Sequence, residues 1–324
     1  MRGTPTSVTV AALALSVAAC GGGGGGPTGP ASPPPPPGHP VSVMVFLDEN
    51  ENGLLEASEV GRVPDVEVQV GGRTARTAKG TGIATVENVP AGTHAIALRG
   101  ETLPPFYSAR VVPSVTTPAD GTTVRVPVVL PIGHNRFGVY VAFGDSITRG
   151  TPASNYPSKL EQLLRQHFND GLVINRGDPG TNSYEGVERA RRNIEANSPA
   201  YTLILYGTND WNIPGCQEEP VCDTIPNLRA IVRSATRLDS LTFIATLTPV
   251  NPAMNADRNR WVEKVNDQIR AMAVQEGAVV VDVYGTFTRQ GGDLSRFFED
   301  HVHPNDAGYA LVAEAFFEAI AHGR

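Results

Sequence analysis

The sequence predicts an α/β protein built on a doubly wound parallel sheet and preceded by a small all-β domain. Two observations concern strand and helix patterns. Short β-branched runs between Gly/Pro turns fill residues 41–131, and apolar strands alternate with amphipathic helices from residue 139 onwards. The third concerns composition. The excess of glycine and proline is confined to the first 40 of the 324 residues, and the rest has an ordinary globular composition that suits about two domains.

Residues 1–20 are typical of an export signal. The apolar run over residues 8–17 is too short to cross a bilayer and suits a secretory segment. Small residues directly before Cys20 resemble the lipobox of bacterial lipoproteins, in which this cysteine becomes lipid-modified. The alternative is an ordinary signal peptide that is cut elsewhere. We expect a lipid-anchored protein of the cell envelope, and the absence of aspartate after Cys20 favours the outer membrane or the cell surface.

Residues 21–40 are predicted to be a linker. Six consecutive glycines are followed by a proline-rich stretch, so the segment is first flexible and then stiff, with almost nothing to bury. Such a tether suits a position between a membrane anchor and folded domains.

Two further cysteines, Cys216 and Cys222, have five residues between them. In an exported and therefore oxidising compartment we expect them to form a loop-closing disulfide. A metal-binding pair is the alternative, and it is less favoured because no histidine or further cysteine lies close in sequence.

The domain at residues 41–131 is predicted to be a β-sandwich. Short strands separated by glycine and proline turns are typical of this architecture. The order of its features resembles the prealbumin-like B-type modules of bacterial surface adhesins, over roughly 90 residues. The predicted strands cover residues 41–45, 66–70, 82–86, 94–98 and 124–130.

An acidic loop after the first strand fits the calcium-binding pattern D-x-[DN]-x-[DN]-G-x5-E at every defined position. Oxygen atoms at this spacing can converge on one hard cation, and the glycine permits the sharp turn. The alternative is a plain acidic surface turn, because Asp, Asn and Gly are common in turns. We expect a weak, structural Ca²⁺ site. The candidate ligands are Asp48, Asn50, Asn52 and Glu59, together with the Leu54 carbonyl and Glu56.

From residue 139 to the end, continuous apolar strands alternate with amphipathic helices, as in a parallel sheet covered on both faces. Five strands in about 185 residues suit a flavodoxin-like layout, whose sites lie at the carboxyl ends of the strands. The predicted strands cover residues 139–143, 172–175, 203–206, 243–246 and 278–283. The predicted helices include residues 160–168, 185–196, 228–238, 261–274 and 309–320.

Polar residues collect at these strand ends. Gly144-Asp145-Ser146 follows the first strand, residues 175–180 the second and Gly207-Thr208-Asn209-Asp210 the third, and Asp300-His301-Val302-His303 precedes the last helix. Four signals in this order resemble the blocks of the SGNH (GDSL) hydrolase family, over the whole of residues 139–324. We therefore place a hydrolase domain at residues 136–324.

The resemblance implies a Ser-His-Asp triad of Ser146, His303 and Asp300, in which His303 is the base and Asp300 orients it. The implied oxyanion donors are the Ser146 N–H, the Gly180 N–H and the Asn209 amide. No cofactor is needed for catalysis. Two alternatives stay open: Gly177 could replace Gly180, and His301 could replace His303, although Phe298 rather than an acid stands three residues before His301.

Each of these residues also has an ordinary structural explanation. Ser146 could cap a helix, Asn209 could be a turn residue, and His303 could be a surface histidine. Trp211 and Trp261 suit packing better than sugar binding.

Two functions are therefore weighed. One is a serine esterase that acts either on lipid-like esters and thioesters or on O-acetyl groups of glycans. The other is a non-catalytic polysaccharide-binding module. A net charge of −7 without clustered Lys or Arg argues against a nucleic-acid partner.

Overall fold

The computed structural model describes residues 38–111, 113–217 and 222–323. The export signal, Cys20 and residues 21–37 of the linker lie outside the described residues, so the predictions made for them stay predictions. Within the described ranges, no helix is both long enough and apolar enough to cross a bilayer.

The N-terminal part of the described chain is made of β-strands. One sheet has the order β4-β1-β7, and a second sheet has the order β3-β2-β5-β6. Valine side chains from both sheets, including Val43, Val68 and Val126, share one buried cluster. The strands are β1 (His39–Leu47), β2 (Glu67–Val70), β3 (Arg73–Arg76), β4 (Ile83–Val89), β5 (Gly92–Leu98), β6 (Ser114–Thr117) and β7 (Val124–Val128).

Strands β3 and β6 were not predicted from the sequence. Each has only four residues and forms an edge of the four-stranded sheet. Three of the four side chains of β3 are exposed, and so are two of the four in β6. An edge strand of this kind lacks the apolar alternation on which strand prediction depends.

The C-terminal part alternates strand and helix. Its strands are β8 (Arg136–Gly144), β9 (Leu172–Gly177), β10 (Pro199–Leu205), β11 (Leu241–Ala245) and β12 (Val279–Val281). Its helices are α1 (Ser146–Arg149), α2 (Tyr156–Phe168), α3 (Ser183–Glu195), α4 (Thr224–Thr236), α5 (Ala256–Glu276), α6 (Val283–Thr288) and α7 (Asp306–His322). Short 3-10 turns cover Gly100–Thr102, Thr208–Asn212 and Leu294–Phe297.

These five strands form one parallel sheet in the order β12-β11-β10-β8-β9. Counted from the β9 edge, the sheet begins with the second strand of the α/β part, followed by the first, third, fourth and fifth. This is the flavodoxin-like 2-1-3-4-5 arrangement. The predicted α/β class is thereby confirmed. All seven residues of β10 are buried, as expected for a central strand covered on both faces.

Side chains of β8 alternate between two apolar clusters. Tyr140 and Ala142 join the cluster that contains α2 and α7, whereas Val141 and Phe143 join the cluster that contains α3, α4 and α5. The alternation follows from the two-residue period of a strand. Helix α6 was not predicted, because its six residues are too few to show a helical period.

The N-terminal strands pack directly against the α/β part. Leu47 and Ile132 belong to the same buried cluster as α2 and α7. Backbone hydrogen bonds also join the two parts, from Arg62 N–H to the Phe168 carbonyl (2.8 Å) and from Gly80 N–H to the His167 carbonyl (3.1 Å). The expected domain boundary near residue 135 falls between β7 and β8, but buried packing continues across it.

Candidate active site

Strand β8 leads directly into the turn that carries Ser146. A Cβ atom on Gly144 would lie 2.1 Å from the Thr148 Oγ1 and 2.2 Å from the Leu205 carbonyl oxygen, so only glycine fits there. Asp145 caps the short helix α1 by accepting a hydrogen bond from the Ile147 N–H at 2.9 Å. Ser146 is therefore the first helical residue and is not the cap. This placement leaves its hydroxyl free of the capping role.

The structure brings Ser146, His303 and Asp300 into one hydrogen-bonded chain. The His303 Nε2 lies 2.9 Å from the Ser146 Oγ, and the His303 Nδ1 lies 2.7 Å from the Asp300 Oδ2. His301, the alternative base, is 53% exposed, and its Nδ1 lies 3.9 Å from the Asp300 Oδ1. The geometry accordingly places His303, not His301, against the serine.

Asp300 is held in its charged form. Partial burial acts to raise the pKa of Asp300, but hydrogen bonds from the backbone and ring of His303 and from the Val302 N–H lower it to about 2. One oxygen of the carboxylate therefore accepts hydrogen bonds from two backbone N–H groups, and the other is hydrogen-bonded to the imidazole ring. This arrangement fixes the side chain of Asp300 and, through it, the plane of the His303 ring.

Asn251 stabilises the loop that carries Asp300 and His303. Its backbone N–H donates to the His301 carbonyl and its side-chain amide donates to the Asp300 carbonyl, each at 3.1 Å. Asn251 was not predicted from the sequence as a site residue. It stands in the Pro-Val-Asn-Pro stretch six residues after β11, at the carboxyl edge of the sheet, and that position is the signal that could have identified it.

Asn209 and Gly180 come from neighbouring loops. The Asn209 amide donates to the carbonyl of Thr181 at 2.9 Å, and Gly180 directly precedes Thr181 with a φ of +80°. Gly177, the alternative donor, has another task, because a Cβ atom on it would lie 2.2 Å from the Arg149 backbone nitrogen. Gly177 thus permits close contact with α1, whereas Gly180 lies in an exposed turn next to Asn209.

Asp210 fixes the segment after Asn209. Its buried carboxylate accepts hydrogen bonds from the Ser183 N–H (2.8 Å), the Ser183 hydroxyl (2.6 Å) and the Thr224 hydroxyl (2.6 Å). It therefore ties the turn after β10 to the first residues of α3 and α4. Asp210 thereby organises the loop that carries Asn209.

Two arginines that were not predicted as site residues also support the strand ends. Arg189 donates to the Gly144 carbonyl (3.0 Å) and to the Arg176 carbonyl (2.7 Å). Arg258 is buried and donates to the Thr208 carbonyl. Burial lowers the pKa of Arg258 to about 10, although the nearby Asp145 acts to raise it. Both arginines lie on helices, where the sequence gives no sign that they reach a neighbouring strand end.

The predicted disulfide is present. Cys216 and Cys222 are bonded, with a Cα–Cα distance of 5.2 Å. The Trp261 indole N–H donates to the Cys216 carbonyl at 2.9 Å, and the rings of Trp261 and Trp211 meet edge to face at 5.7 Å. Both tryptophans therefore take part in packing, as expected.

The candidate calcium loop folds around two buried carboxylates. The Asp48 Oδ2 accepts from the Gly53 N–H (2.8 Å), and the two Glu59 oxygens accept from the Glu49 and Glu56 N–H groups (2.9 and 3.0 Å). The amide groups of Asn50 and Asn52 both donate to Glu56 at 2.7 Å. The Leu54 side chain is exposed. The predicted ligands thus surround one turn, and their Ca²⁺ role stays a prediction.

The doubly wound sheet carries Ser146 directly after its first strand. The profile of the GDSL-like Lipase/Acylhydrolase family matches residues 142–311 of the sequence. The chain belongs to this family and is therefore an ester-hydrolysing enzyme. The match covers the α/β part and confirms the resemblance drawn from the four sequence blocks. A search of curated protein sequences finds no match.

Solved structures share the fold. A catalytic mutant of Axe2, an acetylxylan esterase from Geobacillus stearothermophilus, is 20% identical with a TM-score of 0.50, over 57% of this chain and 95% of that one. LAE5, an alpha/beta hydrolase enzyme from the metagenome of Lake Arreo, Spain, is 24% identical with a TM-score of 0.50, over 59% of this chain and 98% of that one. At these identities the likeness concerns the fold alone.

Proposed function

We propose that the protein is an exported, lipid-anchored serine esterase that cleaves carboxylic esters through an acyl-enzyme. The observation that carries this proposal is the hydrogen-bonded chain from Ser146 through His303 to Asp300. A serine hydroxyl is a weak nucleophile, and it needs a base within hydrogen-bond reach whose tautomer is fixed by a third group. All three parts meet within ordinary hydrogen-bond distances.

In the first half-reaction the Ser146 Oγ attacks the ester carbonyl carbon while the His303 Nε2 takes its proton. Asp300, hydrogen-bonded to Nδ1–H, holds the imidazole in the tautomer that leaves Nε2 free to accept, and stabilises the imidazolium that forms. The imidazolium then gives the proton to the leaving alcohol. In the second half-reaction His303 activates a water molecule, which releases the carboxylic acid and restores Ser146.

The tetrahedral intermediates carry negative charge on the former carbonyl oxygen. We assign the donors for this oxygen to the Ser146 N–H, the Gly180 N–H and the Asn209 amide. Ser146 lies at the start of a helix, where backbone N–H groups have no intrahelical acceptor. The hydrogen bond from Asn209 to Thr181 keeps its amide beside Gly180, as a shared oxyanion site requires.

The substrate is a small-molecule or a polymer-borne ester. Asp300 and His303 are 44% and 35% exposed, so the base is accessible from solvent and a bulky leaving group can approach it. Two substrate classes fit: O-acetyl groups on glycans, and lipid-like acyl esters or thioesters. The fold neighbour Axe2 is an acetylxylan esterase, which motivates the use of acetylated xylan as a probe.

Lipid attachment at Cys20 and the linker at residues 21–40 complete the proposal, together with domains at 41–131 and 136–324. The two N-terminal sheets with a shared valine cluster support a β-sandwich of the prealbumin-like type. An anchor, a tether and a β module before the enzyme would hold it at the cell envelope, near polymeric substrates.

The Asp48–Glu59 loop is proposed to bind Ca²⁺. Asp48 and Glu59 are both only 2% exposed, and two buried carboxylates in one loop call for a compensating cation. Hard oxygen donors from Asp48, Asn50, Asn52 and Glu59 suit Ca²⁺, whose role there would be structural. Thermal unfolding with Ca²⁺ or with EDTA tests this assignment. An unchanged melting temperature would contradict it.

Hydrolysis assays test the esterase proposal. p-Nitrophenyl esters of increasing acyl length and acetylated xylan are offered to the wild type, to Ser146→Ala and to Ser158→Ala, which alters an exposed serine on α2. We expect activity in the wild type and Ser158→Ala and its near-complete loss in Ser146→Ala. Preference for acetyl over longer chains would assign the glycan class.

The second candidate function is binding of polysaccharide without catalysis. It would be favoured if the folded wild type hydrolysed none of these esters and still bound xylan. Activity that survives in Ser146→Ala would instead contradict the assigned nucleophile.

A further inference from the structure

Three side chains from distant segments meet away from Ser146. Asp65 precedes β2, His167 is in the last turn of α2, and His322 is the last residue of α7. One ligand atom from each of them lies within 4.8 Å of the other two. The His167 Nε2 lies 4.0 Å from the Asp65 Oδ2, and the two imidazole rings are nearly perpendicular, with centroids 5.6 Å apart.

His167 is the unusual member of this cluster. Its side chain is 2% exposed, yet neither ring nitrogen has a hydrogen-bond partner among the described residues. A buried polar group without a partner costs free energy, typically about 1–3 kcal/mol, and therefore calls for an explanation. Phe168 and Phe317 contact the ring edge to face and fix its orientation. The ring thus has two unused nitrogens, and one ring nitrogen lies within 4.8 Å of ligand atoms of Asp65 and His322.

We propose that Asp65, His167 and His322 form a binding site for a divalent transition metal ion, of which Zn²⁺ is the best match. Two imidazoles and one carboxylate are ligands that this ion accepts in proteins. Bonds of about 2.0–2.2 Å in a tetrahedral arrangement require ligand atoms roughly 3.3–3.6 Å apart. The three side chains therefore need to approach one another by about 1 Å, which small side-chain rotations supply.

The surroundings of the cluster act on a cation in opposite directions: burial and Lys79 disfavour it, whereas Asp65 and the ends of two helices favour it. Both histidines lie at helix C-termini, where the negative ends of the helix dipoles of α2 and α7 stabilise positive charge. The negative charge of Asp65 also stabilises a cation at this place. Lys79, which also acts on His167, opposes it. Burial lowers the pKa of His167 to about 4, and the neutral imidazole is the form that binds a metal.

Two of the three proposed ligands, Asp65 and His322, border solvent. An open cleft beside the cluster is lined by Asp65 and His322 together with Arg76, Glu101, Thr102 and Leu103. A water molecule can therefore complete the tetrahedron from this side. The site would join the segment before β2 to the ends of α2 and α7, and so clamp the N-terminal strands onto the α/β part. This role does not depend on the esterase proposal.

A metal titration tests the site on untagged protein that has been stripped with EDTA and returned to buffer with excess Ca²⁺. The added Ca²⁺ keeps the oxygen-rich Asp48–Glu59 loop saturated, so that Zn²⁺ reports on the histidine cluster. We expect one equivalent of Zn²⁺ to bind, a higher melting temperature with Zn²⁺, and the visible absorption of tetrahedral Co²⁺ when Co²⁺ replaces it.

The partly exposed ligands are the positions to vary. Asp65→Asn and His322→Ala should weaken Zn²⁺ binding by at least about 100-fold and abolish the stabilisation, because each removes a direct ligand. His134→Ala, at an exposed histidine outside the cluster, is the matched control and should behave like the wild type. The proposal is overturned if the wild type binds no Zn²⁺, or if both ligand variants bind it as tightly as the control. Circular dichroism of the apo variants verifies that they are folded.

Discussion

The His303 Nε2 atom lies 2.9 Å from the Ser146 Oγ atom, although 157 residues separate the two in sequence. The contact joins the end of the first strand of the parallel sheet to the loop before the last helix. Because parallel strands present their carboxyl ends at one edge, residues from opposite ends of the domain can meet there. Four predictions follow from the way this edge is built.

Asp300→Asn should lower kcat by about 10³–10⁴-fold with little effect on folding. An amide of the same shape donates to the ring where the carboxylate accepts, so the imidazole takes the wrong tautomer. Steady-state kinetics on a p-nitrophenyl ester measure the effect. The matched control is Asp306→Asn, the same change at an exposed aspartate on α7, and it should keep wild-type activity. Asp300→Asn activity close to that of the control would remove Asp300 from the triad.

Asn209→Ala should lower kcat by about 100–1000-fold while KM changes little, because the Asn209 amide is expected to act mainly on the charged intermediate. Asn212→Ala, in the same 3-10 turn and exposed, serves as its control. The two variants are compared in kinetics and in thermal unfolding. An equal loss in both, or a loss of Asn209→Ala activity explained by unfolding, would contradict the oxyanion assignment.

Asp145→Asn should reduce the pH dependence of stability. Burial raises the pKa of Asp145 to about 7, and within the part of the chain that the structure describes its Oδ2 has no hydrogen-bond partner. The folded state thus favours the protonated form. This contribution is complete below the unfolded pKa of about 4 and is lost as pH rises through 7. Urea denaturation at pH 5 and pH 8 should show a larger loss of stability for the wild type than for Asp145→Asn. Parallel losses would show that another group titrates.

Removal of the disulfide should lower the free energy of unfolding by about 2–3 kcal/mol. Cys216 and Cys222 are six positions apart, and closing so short a loop restricts the unfolded chain only modestly. Urea denaturation with and without reductant measures this for the wild type. The double variant Cys216→Ala/Cys222→Ala should be equally destabilised, and reductant should leave it unchanged. A reductant effect in that variant would point to a cause other than this bond.

Much of the fold could be predicted because buried apolar residues recur with the period of the strand or helix that carries them. The five strands of the parallel sheet were found from apolar runs, and α7 was found from Tyr309, Val312, Phe316 and Ile320, which are all buried. The elements that were not predicted are too short or too exposed to show a periodic pattern of apolar residues. Strands β3 and β6 are short polar edges, and α6 is shorter than two turns.

The residues of the candidate site also divide into those that could be predicted from the sequence and those that could not. Ser146, Asn209 and His303 stand in short sequence blocks whose residue types suggest a chemical role. Asn251 and Arg258 act through backbone carbonyls of other segments. The position of Asn251 shortly after β11 is a signal in the sequence, whereas Arg258 lies within a helix and shows none. The His167 cluster is harder still to predict, because its three members become neighbours only after two helices and the N-terminal strands have packed together.

The hydrogen bonds from Arg62 and Gly80 to the end of α2, and the shared core of Leu47 and Ile132, bear on how this architecture can change. A domain that was joined to its neighbour only by a linker could be replaced by recombination without loss of buried contacts. Here, cutting the chain near residue 135 would uncover apolar side chains and leave carbonyls of Phe168 and His167 without their donors. Recombination at that junction would therefore be tolerated only if the incoming module reproduced the lost surface.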